Sequence, residues 1–399
     1  MYKNCFYISI IFMYLTLAAS CMPCHAQGGD ILTGADQVDN IFGDLSGKKL
    51  ALMVNQTSVR TDGEHLVDYL MSKGQLVTKI FAPEHGFRGD ADAGAYIEDG
   101  RDKKSGLPVI SLYGQKKKPT SHDLRDVDIV IFDIQDVGVR YYTYLSSLHY
   151  LMEECAEQDI AVLVLDRPNP NGHYIDGPIL DTAYRSFVGM HPVPIVHGMT
   201  VAEYALMIKG EKWINEARAL RLSVLPCLNY KKSMHYELPV KPSPNLPNSR
   251  SILLYPQLCL FEGTPISVGR GTDTQFQVVG HPDLKGLYAF YFIPESKPGA
   301  LSPLHMGKKC YGMDLTNIPT EQLLNSKQVD LDIVISFYQR FPEPSVFFLK
   351  NGFFDKLAGG QLLRKQITQG LDAQSIRASW QESLKQYDAM RSDYLIYPK

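Results

Sequence analysis

Glu84 has the surroundings expected of a catalytic acid. It follows an apolar run of strand length, lies between Pro83 and His85, and is followed by glycines that let a ligand approach the backbone. A carboxyl group in such a place can act as a general acid. The structural alternative is an ion pair with Arg88, four residues further on, that only orders the loop. The residues by themselves support the two interpretations about equally.

The segment 132–144 holds the densest group of polar and aromatic residues. It starts at the end of another apolar run and leads into a helical pattern. Asp133 or Asp136 could orient a substrate, and the planar fork of Arg140 could bind a carboxylate. Tyr142 and the tyrosines beside it could line a sugar ring. In the structural alternative, Asp136 caps the helix and the tyrosines only pack.

A second pair of an acid and an arginine lies in the second half of the chain. Glu262 stands at the end of a predicted helix, where the helix dipole disfavours a carboxylate, so its presence there suggests a function. Arg270 follows in a stretch punctuated by glycines. We therefore add Glu262 and Arg270 to the candidate site.

Familiar catalytic motifs are missing from the sequence. It contains no G-x-G-x-x-G, P-loop, G-x-S-x-G or H-E-x-x-H pattern. Histidines such as His85 and His197 are not paired at ligand spacing, so we predict neither a metal nor a cofactor. Carboxylates, arginines and tyrosines remain, and these are typical of enzymes that break glycosidic bonds. Such enzymes need an acid for the leaving oxygen and a second group for the oxocarbenium-like centre.

These residues follow the ends of predicted strands. Apolar runs at 49–54, 76–81, 108–112, 128–132 and 160–165 alternate with helical patterns, which predicts an α/β fold with a mostly parallel, doubly wound, Rossmann-like sheet. Ligands bind beyond the carboxyl ends of such strands. The candidates that follow these ends are Asn55, Glu84, Asp133, Asp136 and Arg167.

The second half of the chain has a different pattern. A capping box at Thr200 and Glu203 predicts the start of a helix, and a Pro-rich segment at 241–249 is typical of a domain boundary. We predict a Rossmann-like domain over 27–228 and a smaller α/β or α+β domain over 229–399 that closes the cleft.

The first 26 residues have the pattern of an export signal, with Lys3 before an apolar run at 6–19. Lipidation at Cys21 and cleavage after Ala26 fit about equally well. We therefore predict an exported protein, secreted to the periplasm or held as an outer-membrane lipoprotein, whose membrane contact is at most a lipid on Cys21. The remaining cysteines lie in apolar stretches and are predicted to be buried free thiols; they are Cys155, Cys227, Cys259 and Cys310.

Composition and charge exclude several other classes. The 399 residues are 45% hydrophobic and carry a formal net charge of −3. This is an ordinary globular composition, and it offers no basic excess for nucleic acid or anionic lipid.

Five long motifs carry a family resemblance. They are Pro-Glu-His-Gly-Phe-Arg-Gly at 83–89, Phe-Asp-Ile-Gln-Asp-Val-Gly-Val-Arg-Tyr-Tyr-Thr at 132–143, Asp-Arg-Pro-Asn-Pro at 166–170, Pro-Ile-Val-His-Gly-Met-Thr at 194–200, and Phe-Glu-Gly-Thr at 261–264 with Ser-Val-Gly-Arg-Gly-Thr at 267–272. In these motifs, and over essentially the whole chain after the leader, the sequence is similar to the NamZ-type exo-β-N-acetylmuramidases.

The resemblance implies an exported glycosidase that removes N-acetylmuramic acid from the non-reducing ends of peptidoglycan fragments, at a β-1,4 linkage, in cell-wall recycling. It implies an active cleft between two domains, and its catalytic glutamate falls on Glu84. We expect Glu84 to be the general acid. The second group would be Asp133, Asp136, Glu262 or the substrate's own acetamido oxygen.

An arginine should recognise the lactyl carboxylate of muramic acid, and we prefer Arg140 or Arg270 to Arg88. The residues expected to bind substrate are Asn55, His85, Arg88, Arg140, Tyr142, Arg167, His197 and Arg270. Two other functions stay open at this point. The chain could be a non-catalytic glycan-binding lipoprotein, or a metal-dependent hydrolase that uses Asp133, Asp136 and His85.

Overall fold

The computed structural model describes residues 29–84, 86–87 and 99–398. The predicted leader, with Cys21, lies outside the described residues, as do His85 and Arg88. From Ile31 onward the chain packs as one compact unit.

A seven-stranded sheet forms the centre of the first half. Its strands are β1 (Leu50–Val54), β2 (Val77–Ala82), β3 (Gly100–Arg101), β4 (Pro108–Ser111), β5 (Ile129–Asp133), β6 (Ala161–Leu165) and β7 (Leu222–Leu225). They lie in the order β3-β4-β2-β1-β5-β6-β7, and every pair is parallel except β3 with β4. The strand order reverses between β1 and β5, which is where a doubly wound sheet opens its ligand crevice.

Both faces of this sheet are buried. Along β1, Ala51 and Met53 point into a large core, whereas Leu50, Leu52 and Val54 point into a smaller core on the opposite face. Neighbouring strand residues point to opposite faces, so a strand covered on both sides must be apolar throughout. This explains the continuous apolar runs in the sequence.

Helices connect the strands and pack on the sheet in the first half of the chain, and further helices follow in the second half. They are α1 (Phe42–Leu45), α2 (Leu66–Ser72), α3 (Tyr144–Glu157), α4 (Val201–Gly210), α5 (Ser249–Leu258), α6 (Thr320–Ser326), α7 (Leu331–Arg340), α8 (Phe353–Ala358), α9 (Leu362–Thr368), α10 (Ala373–Ala378) and α11 (Gln381–Ser392). Short 3-10 helices occur at Ala35–Ile41, Thr182–Tyr184, Cys259–Gly263, Pro282–Leu284 and Pro344–Val346. The capping box of α4 forms as predicted, with Thr200 and Glu203 each bonding the other's backbone.

A second, smaller region follows α5. It combines α6 to α11 with an antiparallel three-stranded sheet in the order β8-β10-β9. These strands are β8 (Val278–His281), β9 (Tyr291–Phe292) and β10 (Cys310–Asp314). Its buried side chains join the large core of the first region, so one hydrophobic core extends from the sheet to α11.

The α/β prediction with a mostly parallel sheet and a second, smaller domain is confirmed. The domain bounds 27–228 and 229–399 stay a prediction. The four cysteines expected to be buried free thiols are buried and free. Within the described part of the chain, no helix has both the length and the apolar character needed to cross a bilayer.

Candidate active site

Residues that follow β2, β4 and β5 line a cavity of about 270 Å³ together with residues of the second half. Its lining comprises Glu84, Tyr113, Tyr141, Tyr142, Thr143, Tyr144, Phe187, Val188, Ser243, Leu246, Tyr255, Glu262, Arg270, Phe276 and Phe353. A larger cavity of about 550 Å³ includes Ile129 and Ala161, the first residues of β5 and β6. It therefore lies at the amino ends of the strands, where ligands of parallel sheets seldom bind.

Glu84 is half-buried in the lining of the 270 Å³ cavity, and both of its carboxylate oxygens accept hydrogen bonds. The Tyr113 hydroxyl donates to Oε1 over 2.7 Å, and the Thr143 hydroxyl donates to Oε2 over 2.7 Å. Burial, followed by the Glu84 carboxylate, raises the pKa of Tyr113, so this phenol keeps its proton. The carboxylate is thus held in one orientation in a cavity lined by aromatic rings.

Glu262 and Arg270 form an ion pair in the same cavity. Nε and Nη2 of Arg270 both donate to Oε1 of Glu262, over 2.8 and 2.6 Å. The Arg270 guanidinium also lies 5.1 Å from the ring centre of Phe276. Both side chains of the pair are about a quarter exposed, so the guanidinium is fixed in place and still reachable by an anionic ligand.

Tyrosine rings form one wall of the cavity, and their hydroxyls are already used. Tyr142 donates to the carbonyl of Pro242 over 2.7 Å, and Tyr144 reaches the same carbonyl at 3.4 Å. Tyr141 donates to the carbonyl of Pro256. These tyrosines can therefore contact a ligand with their rings but not with their hydroxyls. The bonds of Tyr142 and Tyr144 to Pro242 also hold the Pro-rich segment against the cavity.

Asp133 and Arg167 do not line the cavity. They form a buried two-pronged ion pair, with Nε of Arg167 2.6 Å from Oδ1 of Asp133 and Nη2 2.9 Å from Oδ2. Arg167 also donates to the carbonyl of Val59. This pair joins the ends of β5 and β6, and its geometry favours a structural role over the predicted contact with substrate.

Arg140 is likewise turned away from the cavity. Its guanidinium is buried and donates to three backbone carbonyls, those of Pro178, Val193 and Leu357, over 2.6 to 2.8 Å. Burial lowers the pKa of Arg140 to about 10. Because Nη1 and Nη2 of Arg140 are bonded to these carbonyls and its Nε is buried, Arg270 is the better placed of the two arginines that we preferred for the lactyl carboxylate.

Three further candidates are buried beside the cavity without lining it. Asp136 accepts from the Gly138 amide over 2.7 Å, its Oδ2 has no hydrogen-bond partner, and burial raises its pKa to about 7. Asn55 accepts from the amide and the hydroxyl of Thr57. His197 is buried against Tyr204, and burial lowers its pKa to about 3. Each of these side chains bonds or packs against its local surroundings, and each keeps one buried polar atom without a hydrogen-bond partner: Nδ2 of Asn55, Oδ2 of Asp136 and Nε2 of His197.

The proposed metal chemistry finds no support among the residues that can be assessed. Across residues 29–84, 86–87 and 99–398, no group of three or more His, Cys, Asp or Glu side chains could hold a metal ion. Asp133 is occupied by Arg167, and His85 lies outside the described residues.

Sequence reasoning missed Tyr113 and Thr143, the two residues bonded to Glu84. Tyr113 comes two residues after β4, so the strand-end rule that selected the other candidates could have found it. Thr143 lies inside the segment 132–144, which stands out in the sequence for its acids, Arg140 and tyrosines and not for this hydroxyl.

The fold and the site together define an α/β protein with an acidic, tyrosine-walled cavity suited to a polar ring. Residues 50–250 match the N-terminal family model of exo-beta-N-acetylmuramidase NamZ, and residues 253–397 match its C-terminal model. The chain belongs to the NamZ exo-β-N-acetylmuramidase family.

Relatives agree with this placement. The chain is 39% identical over 370 residues to the peptidoglycan beta-N-acetylmuramidase NamZ of Bacillus subtilis, covering 88% of each chain. A crystal structure of a DUF1343 family protein from Bacteroides fragilis matches with a TM-score of 0.85 and 44% identity, over 93% of this chain and 99% of that one. A second such protein from the same organism matches with a TM-score of 0.78 and 26% identity, over 92% and 99%.

Proposed function

We propose that this chain is an exo-acting glycosidase that releases N-acetylmuramic acid from the non-reducing end of peptidoglycan fragments during cell-wall turnover and recycling. Family membership over both regions supports the reaction class. The observation that carries the proposal is Glu84, held by two hydroxyls in a cavity that also presents Glu262 and Arg270.

Glu84 acts as the general acid in this proposal. It gives its proton to the glycosidic oxygen as the bond to the departing sugar breaks. Water then adds to the positively charged ring carbon that is left, which gives N-acetylmuramic acid, and the proton lost by this water restores the acid. Glu262 is the other carboxylate among the described lining residues. Its pairing with Arg270 favours a role in recognition, where Arg270 faces the lactyl carboxylate that distinguishes muramic acid from glucosamine.

The test is release of N-acetylmuramic acid from a β-1,4-linked muramyl disaccharide, whose sugar leaving group needs a proton, by purified wild-type protein and by the Glu84→Gln variant. Glutamine keeps the size of the side chain and cannot donate an acidic proton, so we expect kcat/KM to fall by about 100-fold or more. Glu382→Gln, at an exposed position on α11, should match the wild type and serves as the control.

Near wild-type turnover by Glu84→Gln would contradict the assignment. Binding of muropeptides without turnover by the wild type would favour a glycan-binding protein instead. Loss of activity on treatment with a chelator would favour the metal-dependent alternative.

We also infer that the protein is exported. The leader pattern at residues 1–26 supports this, and so does a substrate class that lies outside the cytoplasmic membrane. Intact-mass measurement on protein from its native host would give a chain starting after Ala26 or a diacylated chain starting at Cys21. Cys21→Ser should abolish the second form only. An unprocessed N-terminus would contradict export.

A further inference from the structure

The geometry points to Tyr113 and Thr143 as the positioning residues that hold the Glu84 carboxylate, one hydroxyl on each oxygen. This inference rests on the proposed function, because it assigns how the acid of that reaction is oriented. Each hydroxyl lies 2.7 Å from its own oxygen, and both residues line the cavity together with Glu84.

The hydroxyl of Thr143 contacts Glu84 and does not cap its own helix. Thr143 occupies the N-cap position of α3, where a threonine hydroxyl ordinarily accepts a hydrogen bond from the first turn of the helix. Its side chain makes no such capping bond. Instead it donates to Glu84, which is 59 residues away in the sequence.

Thr200 provides the comparison within the same chain. It occupies the N-cap position of α4, and its side chain accepts from the amide of Glu203 in a complete capping box. The backbone differs at the two positions, since Thr143 has helical angles (φ −79°, ψ −3°) and Thr200 has extended ones (φ −75°, ψ 171°). A helical backbone does not direct the hydroxyl to the first turn, so the hydroxyl of Thr143 remains available to Glu84.

Tyr113 holds the other oxygen from a different strand. It comes two residues after β4, whereas Glu84 follows β2, the neighbouring strand. Its hydroxyl is a donor at any working pH, because burial and the Glu84 carboxylate raise the pKa of the phenol. The ring lies 6.3 Å from that of Phe187, another residue of the cavity wall.

Two hydroxyls, one on each oxygen, restrict rotation of the carboxyl group. Each carboxyl oxygen has two lone-pair directions, so one hydroxyl per oxygen leaves the other direction free to carry the proton that goes to the sugar. Loss of one hydroxyl would let the group rotate about its last single bond. A displacement of about 1 Å at a reacting group can cost on the order of 100-fold in rate.

The experiment compares Thr143→Val, Thr143→Ser and Tyr113→Phe with the wild type on the same muramyl disaccharide. We expect Thr143→Val and Tyr113→Phe each to lower kcat by about 10- to 100-fold while KM changes by less than about threefold. Thr143→Ser keeps the hydroxyl and should recover most of kcat. Tyr338→Phe, which removes a hydroxyl from a tyrosine that does not line the cavity, is the matched control.

Thermal unfolding midpoints separate positioning from folding. The expected result is a fall in kcat without a matching fall in midpoint, with rescue by serine but not by valine. If Tyr113→Phe fails to fold, the valine and serine pair at 143 decides the matter alone.

Wild-type kcat in both Thr143→Val and Tyr113→Phe, alongside an inactive Glu84→Gln, would overturn the positioning role and leave the proposed function intact. A covalent glycosyl adduct mapped to Tyr113 would also overturn it, because the phenol would then be a nucleophile of the kind sialidases use. If the wild type itself released no sugar, the proposed function and this inference would fall together.

Discussion

Arg270 and Arg140 show how burial decides what an arginine can do. Arg140 is nearly inaccessible and its donors bind carbonyls, so its planar fork ties together three segments of backbone. Arg270 spends two donors on a single oxygen of Glu262 and keeps part of its guanidinium open to the cavity. The same residue type thus has a structural task in one place and a candidate recognition task in the other.

Arg270→Lys should weaken recognition of muramic acid. Lysine keeps the charge and loses the planar fork, so the second contact with a carboxylate disappears. We expect kcat/KM on the muramyl disaccharide to fall by about 10- to 100-fold, as for loss of a hydrogen bond to a charged group. Any residual activity on the matching N-acetylglucosaminide, which lacks the lactyl group, should change little.

Arg218→Lys, at an exposed position outside the cavity, is the control for this substitution. Equal losses on both substrates would show that Arg270 supports the cavity in general. Recognition of the lactyl group would then have to be assigned elsewhere.

Among the elements, the central strands were predictable and the second half was less so. Strands β1, β2, β4, β5 and β6 lie within a residue or two of the apolar runs, because burial on both faces leaves a continuous signal. In the second half, the sequence pattern over 372–390 predicts a single helix, but the structure has two there, α10 and α11. Trp380 lies at the break and donates to Asp176, 204 residues away, over 3.1 Å, and local periodicity cannot reveal such a contact.

The Pro-rich segment at 241–249 also belongs to the site through contacts that are distant in sequence. It has the composition of a linker, yet Ser243 and Leu246 line the cavity and Pro242 accepts bonds from two tyrosines. Those tyrosines lie about 100 residues earlier in the chain. Sequence reasoning found Glu84, Glu262, Arg270 and Tyr142 from type and position, but it could not show that Asp133 would be occupied by Arg167.

At the scale of the whole molecule, the buried acids give stability a dependence on pH. Asp136 has a pKa of about 7 because burial disfavours its charged form. Between its ordinary value near 3.8 and about 7, the native state keeps this proton and the unfolded state releases it. The contribution of Asp136 to stability is therefore present below pH 3.8 and is lost as the pH rises through 7.

Asp136→Asn should remove this loss, because asparagine can still accept from the Gly138 amide and never ionises. Relative to the wild type, the variant should gain stability between pH 4 and 8, by no more than about 4 kcal/mol. Denaturant unfolding at several pH values measures the difference, and the exposed Asp393→Asn is the control. If the stability of wild type and Asp136→Asn changed with pH in the same way, the raised pKa of Asp136 would be contradicted. If Asp136→Asn turned over substrate at the wild-type rate, Asp136 would no longer be a catalytic candidate.

The last residues of the fold close onto its first region. The Tyr397 hydroxyl donates to Oδ2 of Asp166 over 2.5 Å and accepts from the Cys227 amide over 2.8 Å. The Ile396 amide donates to Glu203, whose other oxygen is bonded by Lys232. Buried carboxyl groups beyond β6 and at the start of α4 thus take some of their partners from residues 396–397 and the others from nearer segments.

The contact between Tyr397 and Asp166 has a consequence for the order of events during biosynthesis. Asp166 leaves the ribosome 231 residues before Tyr397, an interval of roughly 10 to 50 seconds at ordinary rates of translation. Until Tyr397 has been synthesised, the carboxyl group of Asp166 lacks its phenol partner. This part of the first region can therefore take its native arrangement only after Tyr397 is available to fold back onto it.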